Sequence, residues 1–161
     1  MKILFLCTGN SARSQMAEAI FNRKANGKHI AFSAGSHPND MVNPHAIEVL
    51  KRHDYDTENL HPKHLNQFLN EDIDIVISLC DKMHEQCPTF PNKPIYAHFG
   101  FNDPAAMTGT ESEIQQVFNK VFAEISNRID LFLVIMNKNI SRMDVQTQLD
   151  THATKPSEAS K

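Results

Sequence analysis

Short apolar runs alternate along this chain with longer stretches in which apolar residues recur every three or four positions. The runs at 2–6 (KILFL), 29–35 (HIAFSAG), 73–79 (IDIVISL) and 94–99 (PIYAHF) suit short buried strands. Between the first two, ARSQMAEAIFNRKAN carries Met16, Ala17, Ile20 and Phe21 at helical spacing and stops at Gly27. After the second, Asn43 and Pro44 supply an N-cap and a first helical residue for PHAIEVLKRH, with Ile47 and Leu50 on one face. Thr110 and Glu113 make a capping box for a long helix in which Ile114, Val117, Phe118, Val121, Phe122, Ile125, Ile129, Phe132 and Met136 recur at helical intervals. Strands alternating with helices predict an α/β fold, an open parallel four-stranded sheet with helices on both faces.

The 161 residues fit one domain, expected over residues 1–139. Residues 140–161 are polar, hold no aromatic side chain, and are expected as a flexible tail. A formal net charge of −3 gives no broad basic field, which argues against nucleic acid and an anionic membrane as partners. Any anion site must be local. The opening MKILFLC is too short for a signal-peptide core, and no apolar run approaches a membrane span, so the chain is expected in the cytoplasm, acting as a monomer. Three cysteines, an odd number, do not suggest a disulfide framework in a reducing compartment. Reactive thiols, metal ligands and buried small hydrophobes all remain open.

The chemistry concentrates in CTGNSARS, residues 7–14, which follows the first strand and opens the first helix. In an open parallel sheet, ligands bind beyond the carboxyl ends of the strands. Curling around Cys7, the N–H groups of Thr8, Gly9, Asn10, Ser11, Ala12, Arg13 and Ser14 form a nest for a tetrahedral oxyanion. Arg13 can grip two of its oxygens, and Gly9 and Asn10 tolerate the positive φ of such a curl. Ser14 is available to donate a hydrogen bond to a thiolate, the form in which a cysteine reacts. The spacing of Cys7 and Arg13 alone fits a buried strand terminus and a solvated helix residue equally well. Placement between strand and helix favours a nucleophile with its anion cradle.

CTGNSARSQMAEA resembles the signature of the low-molecular-weight protein tyrosine phosphatase fold. With Gln15 where phosphatases usually have proline, it is most similar to the thioredoxin-coupled arsenate reductase branch. SAGSHP (33–38), VNPHAIEVLK (42–51) and GFNDPA (100–105) agree, and the resemblance runs in order from residue 2 to about residue 130. It implies reduction of arsenate to arsenite, with phosphate as a competing anion and no cofactor. Cys7 would form an arsenic–sulfur adduct, Cys80 would attack Cys7, Cys87 would attack Cys80, and thioredoxin would reduce the final disulfide. Asp103 would protonate the leaving oxygen. The alternative is a phosphatase using Cys7, Arg13 and Asp103; a redox-responsive binding protein is a third reading.

Read without that resemblance, Cys80 and Cys87 in CDKMHEQC are a strand terminus and a loop cysteine, joined by a polar segment expected to be flexible. Zinc on Cys80, His84 and Cys87 would need a fourth ligand from elsewhere among the nine histidines and lacks the usual close cysteine spacing, so no metal is assigned. Asp103 before Pro104 is by itself a turn signal. Two positions depart from the family pattern. Ala12 stands where many reductases have an extra loop cysteine. Some members bind potassium through residues that fall on Asn10, Glu18 and Ser33, with an aspartate aligning near Lys63 here. Two readings stand for Lys63: its ammonium takes that cation's place and braces the loop, or it is a solvated loop lysine.

Overall fold

The computed structural model describes residues 1–138 and 142–152. Each apolar run forms a strand: β1 Lys2–Leu6, β2 Ile30–Ala34, β3 Ile75–Ser78 and β4 Ile95–His98. All pairings are parallel, in the order β2-β1-β3-β4. The register sorts the side chains into two layers, because successive residues of a strand face opposite ways. Phe5 pairs with Ser33 and Ile77, and Ile77 with Ala97, on the layer where the Phe21 ring packs at 6.0 Å from Phe5. Leu4 pairs with Phe32 and Val76 on the other, where Phe68 lies 5.5 Å from Phe32.

The helices are α1 (Arg13–Ala25), α2 (Pro44–Arg52), α3 (Asp81–Glu85), α4 (Glu111–Met136) and α5 (Arg142–His152). The N-caps of α2 and α4 follow the sequence expectation, whereas α1 stops at Asn26 rather than at Gly27. The Asn43 side chain accepts from His45 N at 2.9 Å, the Thr110 hydroxyl from Glu113 N at 3.2 Å, and α1 stops where Asn26 takes φ +48°. On the Phe5 layer α4 packs against both α1 and α2, its Phe132 ring 5.8 Å from Phe21 and from Phe99. The other face carries α3 and the 3₁₀ turn Leu65–Phe68.

Residues 142–152 depart from the expected flexible tail. They form α5, with Val145 and Leu149 buried, and pack against β4 and α4. Polar composition hid this, because two apolar residues four positions apart are enough to seat one side of a helix on an open strand. The remainder of the expected tail, 139–141 and 153–161, lies outside the described residues. Among the described residues no helix is long and apolar enough to cross a membrane.

Candidate active site

β1 ends at Leu6 and α1 begins at Arg13, so the backbone between them must turn at the carboxyl edge of the sheet. Three carbonyls of that turn point away from its centre: Thr8 O accepts from His37 N at 3.0 Å, Gly9 O from Asn39 N at 2.9 Å, and Ser11 O from Asn43 N at 2.8 Å. Since C=O and the following N–H are antiparallel across a peptide plane, the N–H groups of Gly9, Asn10 and Ala12 are turned inward, the arrangement of an anion nest. Only Asn10 of the loop takes a positive φ, +46°. Gly9 does not, contrary to the sequence reading; a Cβ there would sit 3.1 Å from the Asn39 amide, so close packing is what favours glycine.

The Cys7 Sγ lies 2.8 Å from Ser14 Oγ, and Asn10 Nδ2 donates to that same oxygen at 2.8 Å. With the serine oxygen accepting from asparagine, its O–H is left to point at the sulfur, where it stabilises a thiolate. Asn10 and Ser14 are fully buried and stand behind the loop rather than in its cavity. That cavity, about 440 Å³, is lined by Cys7, Thr8, Gly9, Ser11, Ala12 and Arg13 of the loop. Across it stand His37, Asn39, Cys80, Lys82, Asp103 and Ala105. Of the side chains expected in the chemistry, Cys7, Arg13, Cys80 and Asp103 therefore share one space, and Cys87 does not.

Arg13 is held ready at the rim. It donates to Phe101 O at 3.0 Å and its other terminal nitrogen lies 3.7 Å from Asp103 Oδ2. The Asp103 carboxyl also accepts from Ala105 N at 3.0 Å, which fixes it at the start of the 3₁₀ turn Pro104–Ala106. Behind the loop, Gln15 Nε2 donates to Asn10 O, Asn10 Oδ1 and His61 O at 3.0, 3.1 and 2.8 Å, and Lys63 N donates to Asn10 Oδ1 at 2.8 Å. The Lys63 Nζ lies 3.3 Å from Glu18 Oε2 and donates to His61 O at 3.0 Å, and Ser33 Oγ donates to the same Glu18 oxygen. Lys63 and Glu18 side chains are 10% and 16% exposed, so this pair is largely shielded from solvent.

Sequence reasoning missed His37, Asn39 and Lys82 in the cavity wall, and the bracing done by Gln15 and Asn43. The one available signal for the first pair was SAGSHPND, whose small and turn-forming residues follow β2 at the same sheet edge as Cys7.

Cys80 stands at the N-cap position of α3 without a side-chain capping bond, and its Sγ lies 3.6 Å from Thr8 Oγ1. The segment from Cys80 to Cys87, expected to be flexible, is instead this one short helix, held by Met83, which is fully buried. Cys87 is half-buried in a second cavity with His84, so Cys80, His84 and Cys87 do not converge as a zinc site would require. Among the described residues no group of three or more His, Cys, Asp or Glu is placed to hold a metal. Burial pushes the Cys87 thiol up to about 11. Thiolate is the reacting form, so iodoacetamide labelling of Cys87 in the reduced protein should climb about tenfold per pH unit from neutral and level only near pH 11. A plateau below pH 9 would show that the thiol is not shielded as described.

A shielded thiol inside a nest of inward N–H groups, with an arginine and a carboxyl at its mouth, defines a cysteine-based enzyme acting on a tetrahedral oxyanion. The family described as low molecular weight phosphotyrosine protein phosphatase matches residues 2–143, and the chain belongs to it. The arsenate reductase of Halalkalibacterium halodurans is 38% identical over 130 residues, 81% of this chain and 93% of that protein. An arsenate reductase solved in its phosphate binding state has a TM-score of 0.66 at 25% identity, over 83% of this chain and 96% of that one. The thioredoxin-dependent arsenate reductase of Corynebacterium glutamicum has a TM-score of 0.57 at 27% identity, over 81% of this chain and 62% of that one.

Proposed function

We propose that this chain reduces arsenate to arsenite through a relay of Cys7, Cys80 and Cys87, with thioredoxin as the final reductant. The observation that carries the reading is a second thiol, Cys80, in the wall of the same cavity as Cys7. Ester hydrolysis has no use for it. Relatives named arsenate reductase support the same reading.

In this mechanism the Cys7 thiolate attacks arsenic while Arg13 and the loop N–H groups hold the oxygens. One oxygen leaves as water, protonated from Asp103, and an arsenic–sulfur bond remains. Cys80 then attacks the Cys7 sulfur. The arsenic–sulfur bond breaks with its electron pair passing to arsenic, which leaves as arsenite, and a Cys7–Cys80 disulfide forms. Cys87 attacks Cys80 and releases Cys7 as thiolate. Thioredoxin's dithiol reduces the Cys80–Cys87 disulfide by the same exchange chemistry, and the protein acts as a monomer in the cytoplasm.

The phosphatase reading uses the same Cys7, Arg13 and Asp103. Cys80 in the cavity wall favours the reductase reading, since ester hydrolysis uses only Cys7, Arg13 and Asp103 there. The deciding experiment follows NADPH oxidation with arsenate, thioredoxin and thioredoxin reductase in the wild type and in Cys7→Ser and Cys87→Ser chains, beside hydrolysis of p-nitrophenyl phosphate. Turnover that needs both thiols supports the relay. Inert arsenate with brisk ester hydrolysis would make this a phosphatase.

The Lys63 ammonium takes the place of a potassium ion beside the loop, a reading supported by its contacts with Glu18 and His61 O. Titrating potassium against sodium at constant ionic strength should therefore leave melting temperature and rate unchanged. A rise in either with potassium alone would sink this assignment.

A further inference from the structure

Beyond α3 from the Cys7 cavity lies a cavity of about 570 Å³ with His84, Cys87 and His98 in its wall. Two imidazoles join helix to sheet there. His84 of α3 stacks on His98 at the end of β4, ring centroids 4.4 Å apart and planes 29° from parallel. His98 Nε2 lies 3.1 Å from Asp81 Oδ1, in the first turn of the same helix, and its Nδ1 lies 2.9 Å from Ser78 Oγ and 3.1 Å from Ser78 O. Burial and the neighbouring His84 lower the pKa of His98. Its two ring nitrogens join Ser78 of β3 to Asp81 of α3. One side chain of β4 thus grips α3 at its first turn and again near its last.

The relay has to bring Cys87 to Cys80, yet these thiols flank α3 and line separate cavities. A helix of five residues has no stability of its own, so its winding depends on tertiary contacts. Met83 anchors its inner side, and His98 supplies the outer hold. We propose that His98 is a positioning residue of the thiol relay: through the His84 ring and the Asp81 carboxylate it latches α3 in its wound form and so sets how readily Cys87 reaches Cys80. The inference rests on the relay reading above. The latch stabilises the dithiol state and is released in the disulfide state.

The test uses the full-length Cys7→Ser chain, in which Cys80 and Cys87 are the only two thiols able to pair within one molecule. It is equilibrated with reduced and oxidised glutathione, where both protein thiols are oxidised to one disulfide and one glutathione disulfide becomes two glutathiones. Adding His98→Ala should shift that equilibrium about tenfold toward the protein disulfide, the combined scale of one ring contact and one hydrogen bond. His84→Ala, which removes the stack alone, should shift it in the same direction by less. The amides of His84 and Gln86, each bonded within α3 at 3.0 Å, should exchange faster in both. A constant unmoved by either substitution overturns the latch, since a merely structural His98 would destabilise dithiol and disulfide forms alike. If the Cys7→Ser chain forms no Cys80–Cys87 disulfide with or without His98, the relay itself falls and the latch with it.

Discussion

A Cys80→Ser chain is expected to lose thioredoxin-supported arsenate reduction by about three orders of magnitude while hydrolysing p-nitrophenyl phosphate within about threefold of the normal rate. The asymmetry follows from what the residue touches. Serine keeps the size of the side chain and can still meet the Thr8 hydroxyl, where Cys80 Sγ now lies at 3.6 Å, so the cavity wall is preserved. Cys7 with its Ser14 partner, Arg13 and Asp103 remain as they are, and these suffice to form and hydrolyse a covalent phosphate ester. Reduction instead needs a sulfur that can accept one half of a disulfide, and a hydroxyl cannot. Parallel loss of both activities would mean that Cys80 supports the cavity rather than the electron transfer. Undiminished reduction would remove it from the mechanism.

The second large effect is expected at Gly35, which follows β2 and which no chemical argument singles out. Its N–H donates to Lys63 O at 2.9 Å and its carbonyl accepts from Leu65 N at 3.0 Å, so its backbone is pinned on both sides. A Cβ on this residue would stand 2.8 Å from Cys7 O and closer still to Thr8 O, both backbone atoms of the anion loop. Neither can step aside as a flexible side chain might. Gly35→Ala should therefore push the loop out of shape, cost about 1–3 kcal/mol of stability, and lower arsenate reduction and ester hydrolysis together by about a hundredfold. Thermal melting and the two assays check it. Full activity at a normal melting temperature would mean that the loop yields to the methyl group.

The sheet, its order of elements and the anion loop were legible because local patterns and tertiary demands agree. KILFL and IVIS are apolar on both faces because both faces are covered, and Asn43 and Thr110 cap the helices their positions announce. What escaped the sequence are features set by contacts between distant segments. Gly9 looks like a residue chosen for positive φ, yet its role is to admit Asn39, which arrives from the loop after β2. The polar stretch between Cys80 and Cys87 reads as flexible, but His98, far along the chain, helps to hold it as a helix. Residues 142–152 read as tail because only Val145 and Leu149 interrupt their polarity, and nothing local reveals that β4 lies open to receive them.

That last contact bears on how the protein behaves in a crowded solution. Ile95 N and Phe99 N donate to Asp74 O and Ser78 O of the neighbouring segment, so the alternate carbonyl of Tyr96 faces away from the sheet. Gln146 of α5 donates to it at 2.9 Å. An outermost strand with bare carbonyls is a template on which another chain can build a further strand. By occupying the Tyr96 carbonyl with a side-chain amide and setting a helix beside it, α5 denies that template to a second molecule and protects the protein against association through its own sheet edge.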